Sequence, residues 1–187
     1  MKSTISVRTI CQVSFLIALE IVLNRFCSIN TSGVKIGFSF LPIALCAMLF
    51  GPLWGGIAGA LADFLGATLF PIGPYFVGFT ISAFVRGMVF GLFLHRKEKL
   101  RFFPEILLPT LINCILIGLF VDTYWVALLY SSKSYTGWFL YRLVEYAVMV
   151  PEYMIFLPLL THLADRLKRS GLVFSDPSGK NHRKNLS

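Results

Sequence analysis

Charge is the first thing this chain is short of. Only 14% of its 187 residues are Asp, Glu, Lys or Arg, where a soluble domain carries about 25%. That shortage leaves no room for a separate soluble domain. It also excludes nucleic-acid binding, which needs a basic face on a soluble fold. Catalytic signatures are missing as well: there is no HExxH, no Walker A lysine loop and no Ser/His/Asp arrangement. The three histidines, His95, His162 and His182, stand where apolar segments end or in the tail. The chain is therefore read as a non-enzyme that does not itself hydrolyse ATP. Cys11, Cys27, Cys46 and Cys114 form no CxxC or other metal spacing, so no metal, cofactor or disulfide is expected. No small-x-small site follows the first apolar run, so no cleavable signal is expected either.

What the chain has in abundance is apolar length. Hydrophobic residues make up 56% of it, and the mean hydropathy is +0.74. Six membrane-spanning segments fit, at about residues 10–27, 36–50, 52–70, 79–94, 104–130 and 138–163. The second is short and holds Pro42, so an irregular start is expected. The fold class is thus an all-α integral membrane six-helix bundle: one transmembrane domain over residues 1–170, then a polar, basic tail over 171–187 with the composition of a disordered segment. The net charge of +8 reads as topology. Lys2, Arg8, Arg96, Lys97, Lys99, Arg101, Arg166, Lys168, Arg169 and the tail's Lys180, Arg183 and Lys184 fall on one side, against Lys35 and Lys133 on the other. The positive-inside rule then places both termini in the cytoplasm.

Residues 51–66 form the smoothest stretch. Gly51, Gly55 and Gly59 recur every fourth residue, as do Ala58 and Ala62, which suits close helix packing in lipid. Asp63 interrupts it. At about 1.5 Å rise per residue, Asp63, Arg86 and Asp122 each lie roughly 10–15 Å below the outer ends of their segments. Arg142 and Glu145 stand within two turns of the start of the sixth segment, and Arg25 closes the first. A charge at mid-bilayer costs at least ~2.5–3.5 kcal/mol, so these groups must face one another or a wet cavity opening outward. Two readings stay open: structural pairs such as Asp63 with Arg86, and snorkelling for Arg25, Arg142 and Glu145; or a ligand site. Tyr75, Phe76, Tyr124, Trp125, Tyr130, Tyr135, Trp138, Phe139 and Tyr141 gather on the same side, either as an interfacial belt or as stacking surfaces. Tyr75 lies in a Pro/Gly-rich loop that suits a lid. Aromatic faces with charges of both signs suit a planar, conjugated, anionic ligand. In the first segment, Ser14 and Ala18 put two small residues one turn apart, for a partner helix or for packing within the bundle. The segments show no internal repeat of the kind carriers use, so uptake would need an external motor.

Leu41-Pro42, the run Phe50-Gly-Pro-Leu-x-Gly-x-x-x-Gly-x-x-x-Asp63 and Phe79-Thr-Ile-Ser-Ala resemble the substrate-binding S components of energy-coupling factor (ECF) vitamin transporters. Ala18-Leu-Glu-Ile-Val-Leu-Asn-Arg-Phe26 and Tyr75-Phe-Val-Gly-Phe-Thr-Ile-Ser-Ala-Phe-Val-Arg-Gly87 look most like the folate-specific members. The resemblance covers about residues 8–170. It implies a bacterial plasma-membrane protein with outer loops closing over a vitamin. It also implies a complex with a transmembrane coupling protein and two cytoplasmic ATPase subunits. The family's Ala-x-x-x-Ala contact motif reads Ser14-x-x-x-Ala18 here, a departure of one hydroxyl that keeps the small size. For folate, Arg25 or Lys35 would take the glutamate tail. Asp63, Asp122 or Glu145 would accept from the amino-pyrimidine edge, Arg86 and Arg142 would add polar contacts, and Tyr75, Trp138 and Tyr141 would stack. The alternatives are an S component for riboflavin or a modified-base precursor, and a structural membrane protein without a ligand.

Overall fold

A pair of glycine-notched helices forms the centre of the computed structural model, which describes residues 7–31, 34–71, 73–95, 102–130 and 134–170. They are α3 (Pro52–Leu69) and α4 (Val77–Leu94), and no two elements in the fold share a more extensive interface. Their contact is backbone on backbone: a methyl group added to Gly87 would run into the carbonyl of Gly55, and one on Gly91 into Pro52. Small residues permit this approach, and dispersion between the two backbones rewards it where lipid offers no hydrophobic drive.

Around this pair stand α1 (Val7–Phe26), α2 (Phe40–Phe50), a fifth rod and α6 (Tyr135–Arg169). The fifth rod, α5, runs from Phe102 to Leu129 in four consecutive pieces. Phe102–Leu107 and Ile112–Asp122 are π-helical; Leu108–Leu111 and Thr123–Leu129 are α-helical. Among the described residues, four helices are long and apolar enough to cross a membrane: Val7–Phe26, Val77–Leu94, Glu105–Leu129 and Tyr135–Arg169. Large apolar side chains such as Phe15, Leu53, Leu92, Val144, Ile155 and Leu159 cover the outside, as a lipid-facing surface requires. Ser14 and Ala18 are exposed on α1 beside Phe15, so they do not pack within the bundle.

The structure corrects the purely helical expectation at one place. The polar segment after α1 folds into a hairpin of β1 (Ile29–Thr31) and β2 (Val34–Ile36), antiparallel, with Asn30 opposite Lys35. Four β-branched residues, Ile29, Thr31, Val34 and Ile36, flank Ser32-Gly33, which favours strand pairing over helix. The hairpin displaces the start of α2 to Phe40, leaving 11 residues that span only about 16 Å, roughly half a hydrocarbon core. Phe40 stacks on Tyr153, with ring centroids 3.8 Å apart, halfway along α6. The helix thus begins inside the bundle and not at its rim. It ends at Gly51, whose φ of +100° only glycine adopts without strain, and Pro52 starts α3 in the position where its missing N–H costs nothing.

Candidate functional site

One end of the bundle gathers the C-terminal ends of α1, α3 and α5 with the starts of α4 and α6. Phe26 meets Phe70 there edge to face, and Tyr130 meets Trp138. A cavity of about 360 Å³ opens between these elements and reaches down to Phe90, Tyr146 and Tyr153. The volume lies in the range of small-molecule sites.

Each wall owes its residues to helical spacing. On α6, Arg142, Glu145, Tyr146, Met149 and Tyr153 fall at i, i+3, i+4, i+7 and i+11 and turn one polar and aromatic face inward. On α4, Phe79, Ala83, Arg86 and Phe90 do the same. From α3 come Gly59, Asp63 and Ala67, and from α1 Glu20, Asn24 and Arg25. The loop between α3 and α4 contributes Gly73, Pro74, Tyr75 and Phe76. It rests on α5, where Phe76 packs on Trp125 at 5.3 Å.

Two ion pairs organise the interior. Arg86 Nη2 donates to Asp122 Oδ2, joining α4 to α5. Arg142 Nε donates to Glu145 Oε2 at 3.2 Å, and its Nη2 to the Tyr146 hydroxyl at 2.9 Å. Both members of the second pair are buried, so neither reaches for the membrane interface. Asp63 does not pair with Arg86 as the spacing suggested; it accepts a hydrogen bond from Thr80 Oγ1 at 2.7 Å. The physical reason is burial: Asp122 is almost fully buried and needs a cation more than the half-buried Asp63. Arg25 has no carboxylate within ion-pair distance among the described residues; its guanidinium lies along α3 at Gly66, where a methyl group would approach Nε to 3.2 Å. Several buried polar atoms of the lining have no hydrogen-bond partner among the described residues: Arg25 Nε, Arg86 Nε, Asn113 Oδ1, Asp122 Oδ1 and Arg142 Nη1. The cavity therefore offers both donors and acceptors beside flat aromatic rings.

Of the residues singled out by sequence, Arg25, Asp63, Tyr75, Arg86, Asp122, Arg142 and Glu145 line this cavity. Trp138 does not. It is buried and its Nε1 donates to the backbone oxygen of Tyr130 at 3.3 Å, because α6 turns that face against the end of α5. Tyr141 meets the edge of Trp138 and is likewise absent from the lining. The side chain of Lys35 lies outside the described residues. Sequence reasoning missed Glu20, Asn24, Phe90, Asn113, Tyr146 and Tyr153. Tyr146 and Tyr153 were recoverable, since both continue the spacing set by Arg142 and Glu145. Asn113 carried no such signal.

Residues 4–165 match the family of the S component of ECF-type riboflavin transporters. A curated relative, the folate transporter FolT of Clostridium novyi, is 40% identical over 162 residues, covering 87% of this chain and 92% of its own length. FolT of Leuconostoc mesenteroides is 28% identical over 143 residues, 74% of this chain and 76% of the relative. Among solved structures, FolT bound with folic acid superposes with a TM-score of 0.77 at 34% identity, covering 83% of this chain and 92% of that one.

Proposed function

The chain belongs to the family of substrate-binding S components of ECF-type transporters, and from that premise we propose that it captures folate at the outer face of the bacterial membrane. A transmembrane coupling protein and two ATPase subunits would supply the motor. The observation that carries this reading is the cavity's pairing of flat aromatic walls with buried donors and acceptors that have no partner among the described residues, beside a cation, Arg25, with no carboxylate among them. The pteridine would lie among Phe90, Tyr146 and Tyr153. Asp122 Oδ1 and Asn113 Oδ1 would accept from its amino-pyrimidine edge, and Arg86 and Arg142 would donate to its ring acceptors. Arg25, at the mouth, would hold the glutamate tail, and Tyr75 would close over the bound vitamin. Asp63 and Glu145 act in this scheme by holding Thr80 and Arg142 in place. Ser14 and Ala18, exposed on α1, form the small-residue face offered to the coupling protein. Both termini lie in the cytoplasm by the basic-residue bias, which directs the cavity outward.

The family description favours riboflavin as a second reading. Riboflavin is uncharged and gives Arg25 no anionic partner, so folate fits the lining better. Titration of the purified protein with folic acid and, separately, with riboflavin, followed by quenching of its tryptophan fluorescence, tests the choice. Saturable quenching by folic acid at a concentration where riboflavin has no effect is expected; the reverse order would overturn the assignment. Co-purification with the coupling protein and ATPase subunits tests the transport role.

A further inference from the structure

Among the described residues, a side-chain hydroxyl on α4 ties the loop over the cavity to the bundle, and we propose that Thr80 is the positioning residue that latches Tyr75 over the bound ligand. Thr80 Oγ1 lies 2.7 Å from Asp63 Oδ2 and 3.1 Å from the Tyr75 hydroxyl. The direction of these bonds follows from proton counting. An ionised carboxylate only accepts, and a threonine hydroxyl carries one proton. Thr80 therefore donates to Asp63, and the bond to the loop requires Tyr75 to donate to Thr80. The chain runs Tyr75 to Thr80 to Asp63, from the loop through the first turns of α4 to α3. The carboxylate at its end polarises both hydroxyls and strengthens the outer bond. Around this chain the loop packs Tyr75 on Phe64 at 5.7 Å and Phe76 on Trp125 at 5.3 Å, and the Phe76 carbonyl accepts from the Phe79 N–H at 3.1 Å. Tyr75 and Asp63 both line the cavity, so the latch closes across its mouth.

This inference rests on the folate reading for its ligand but not for its geometry, and the experiment separates the two. Four variants are compared with the wild-type chain: Thr80→Val, which keeps the shape and removes the relay; Thr80→Ser, which keeps the hydroxyl; Tyr75→Phe; and Tyr75→Phe with Thr80→Val. Stopped-flow fluorescence with folic acid should show dissociation about tenfold faster in Thr80→Val and in Tyr75→Phe. The association rate should stay within about twofold. Thr80→Ser should restore slow dissociation, and the double variant should dissociate no faster than either single one, because one chain is broken only once. Additive effects, or an unchanged dissociation rate in Thr80→Val, would overturn the latch. Hydrogen exchange of residues 71–80 in the ligand-free protein supplies the second arm. Faster exchange in Thr80→Val and recovery in Thr80→Ser are expected; equal exchange in Thr80→Val and wild type would overturn the latch whatever the ligand. Failure of the wild-type chain to bind folic acid, with exchange still responding to Thr80→Val, would refute the folate reading and leave the latch standing.

Discussion

Arg86 and Asp122 give the sharpest test of how the cavity is held together, because the two partners are buried unequally. The Arg86 side chain keeps 31% of its surface accessible and Asp122 only 6%. Removing one member of a buried pair costs ~3–5 kcal/mol through the charge left behind. Asp122→Ala strands an arginine that water in the cavity still reaches, so the low end of that range, about 3 kcal/mol, applies. Arg86→Met strands a carboxylate that water does not reach, so the high end, about 5 kcal/mol, applies. Exchange of both partners, Arg86→Met with Asp122→Leu, removes both charges and should recover most of the loss, since apolar replacement of a whole buried pair is often neutral. Thermal unfolding in detergent without ligand should therefore rank wild type near the double variant, then Asp122→Ala, then Arg86→Met. The double variant should still fail to bind folic acid, because Arg86 Nε and Asp122 Oδ1 are gone from the lining. An inverted order of the two single variants, or a double variant less stable than both, would refute the pairing. Wild-type folic acid affinity in a stable double variant would show the pair to be structural only and would move the pteridine site elsewhere.

Three further outcomes follow from particular contacts. Gly87→Ala should leave little monodisperse protein on size exclusion, because its methyl meets the Gly55 carbonyl and backbone cannot yield as a side chain does; overpacking of this kind costs ~1–3 kcal/mol or more. Arg25→Gln should weaken folic acid by about 10–100-fold, the worth of a charge-assisted hydrogen bond, while leaving pteroic acid, which lacks the glutamate tail, within about twofold in the same fluorescence titration. Trp138→Phe should keep wild-type folic acid affinity and lower the unfolding midpoint modestly, since it keeps an aromatic ring and deletes the hydrogen bond to the Tyr130 carbonyl, worth about 1 kcal/mol; a large loss of affinity would return Trp138 to the site.

Much of the fold was legible because lipid imposes few solutions. The first five segments end where polar or turn-forming residues interrupt an apolar run, near Phe26, Phe50, Leu69, Leu94 and Leu129, and the helices end there too; the sixth helix runs past the expected end at Leu163 to Arg169. Charges in those runs had to face inward, so depth alone brought Arg25, Asp63, Arg86, Asp122, Arg142 and Glu145 to one cavity. Depth says nothing about rotation around a helix axis, and that is where the reading failed. Asp63 and Arg86 share a depth, yet Asp63 accepts from Thr80 and Asp122 takes Arg86. Trp138 shares its depth with the cavity mouth, yet faces away. The second segment was expected to be short and irregular at its start, but the hairpin was hidden for a different reason: Ile36 to Phe40 is apolar enough to read as membrane span, while Ile36 pairs as a strand and the helix starts only at Phe40.

The π-helical stretch of α5 shows why periodicity could not have found the floor of the site. Asn113 and Asp122 are nine residues apart. In an α-helix that is two and a half turns at about 3.6 residues each, which puts them on opposite faces, one toward the cavity and one toward lipid. A sequence reader who trusts the α period must discard one of them. With i to i+5 bonding, a turn holds more residues, and two turns take up about nine. Both side chains then share one face, and both line the cavity, Asn113 2% exposed and Asp122 4%. The wider turn thus rescues two polar residues at once from hydrocarbon, where each unsatisfied group would cost several kcal/mol. It also sets Asp122 against Arg86, the pairing on which the cavity's charge balance depends. The irregular helix is therefore not a defect beside the site. It is the local geometry that lets a single apolar rod supply both an amide and a carboxylate to the same wall of the cavity.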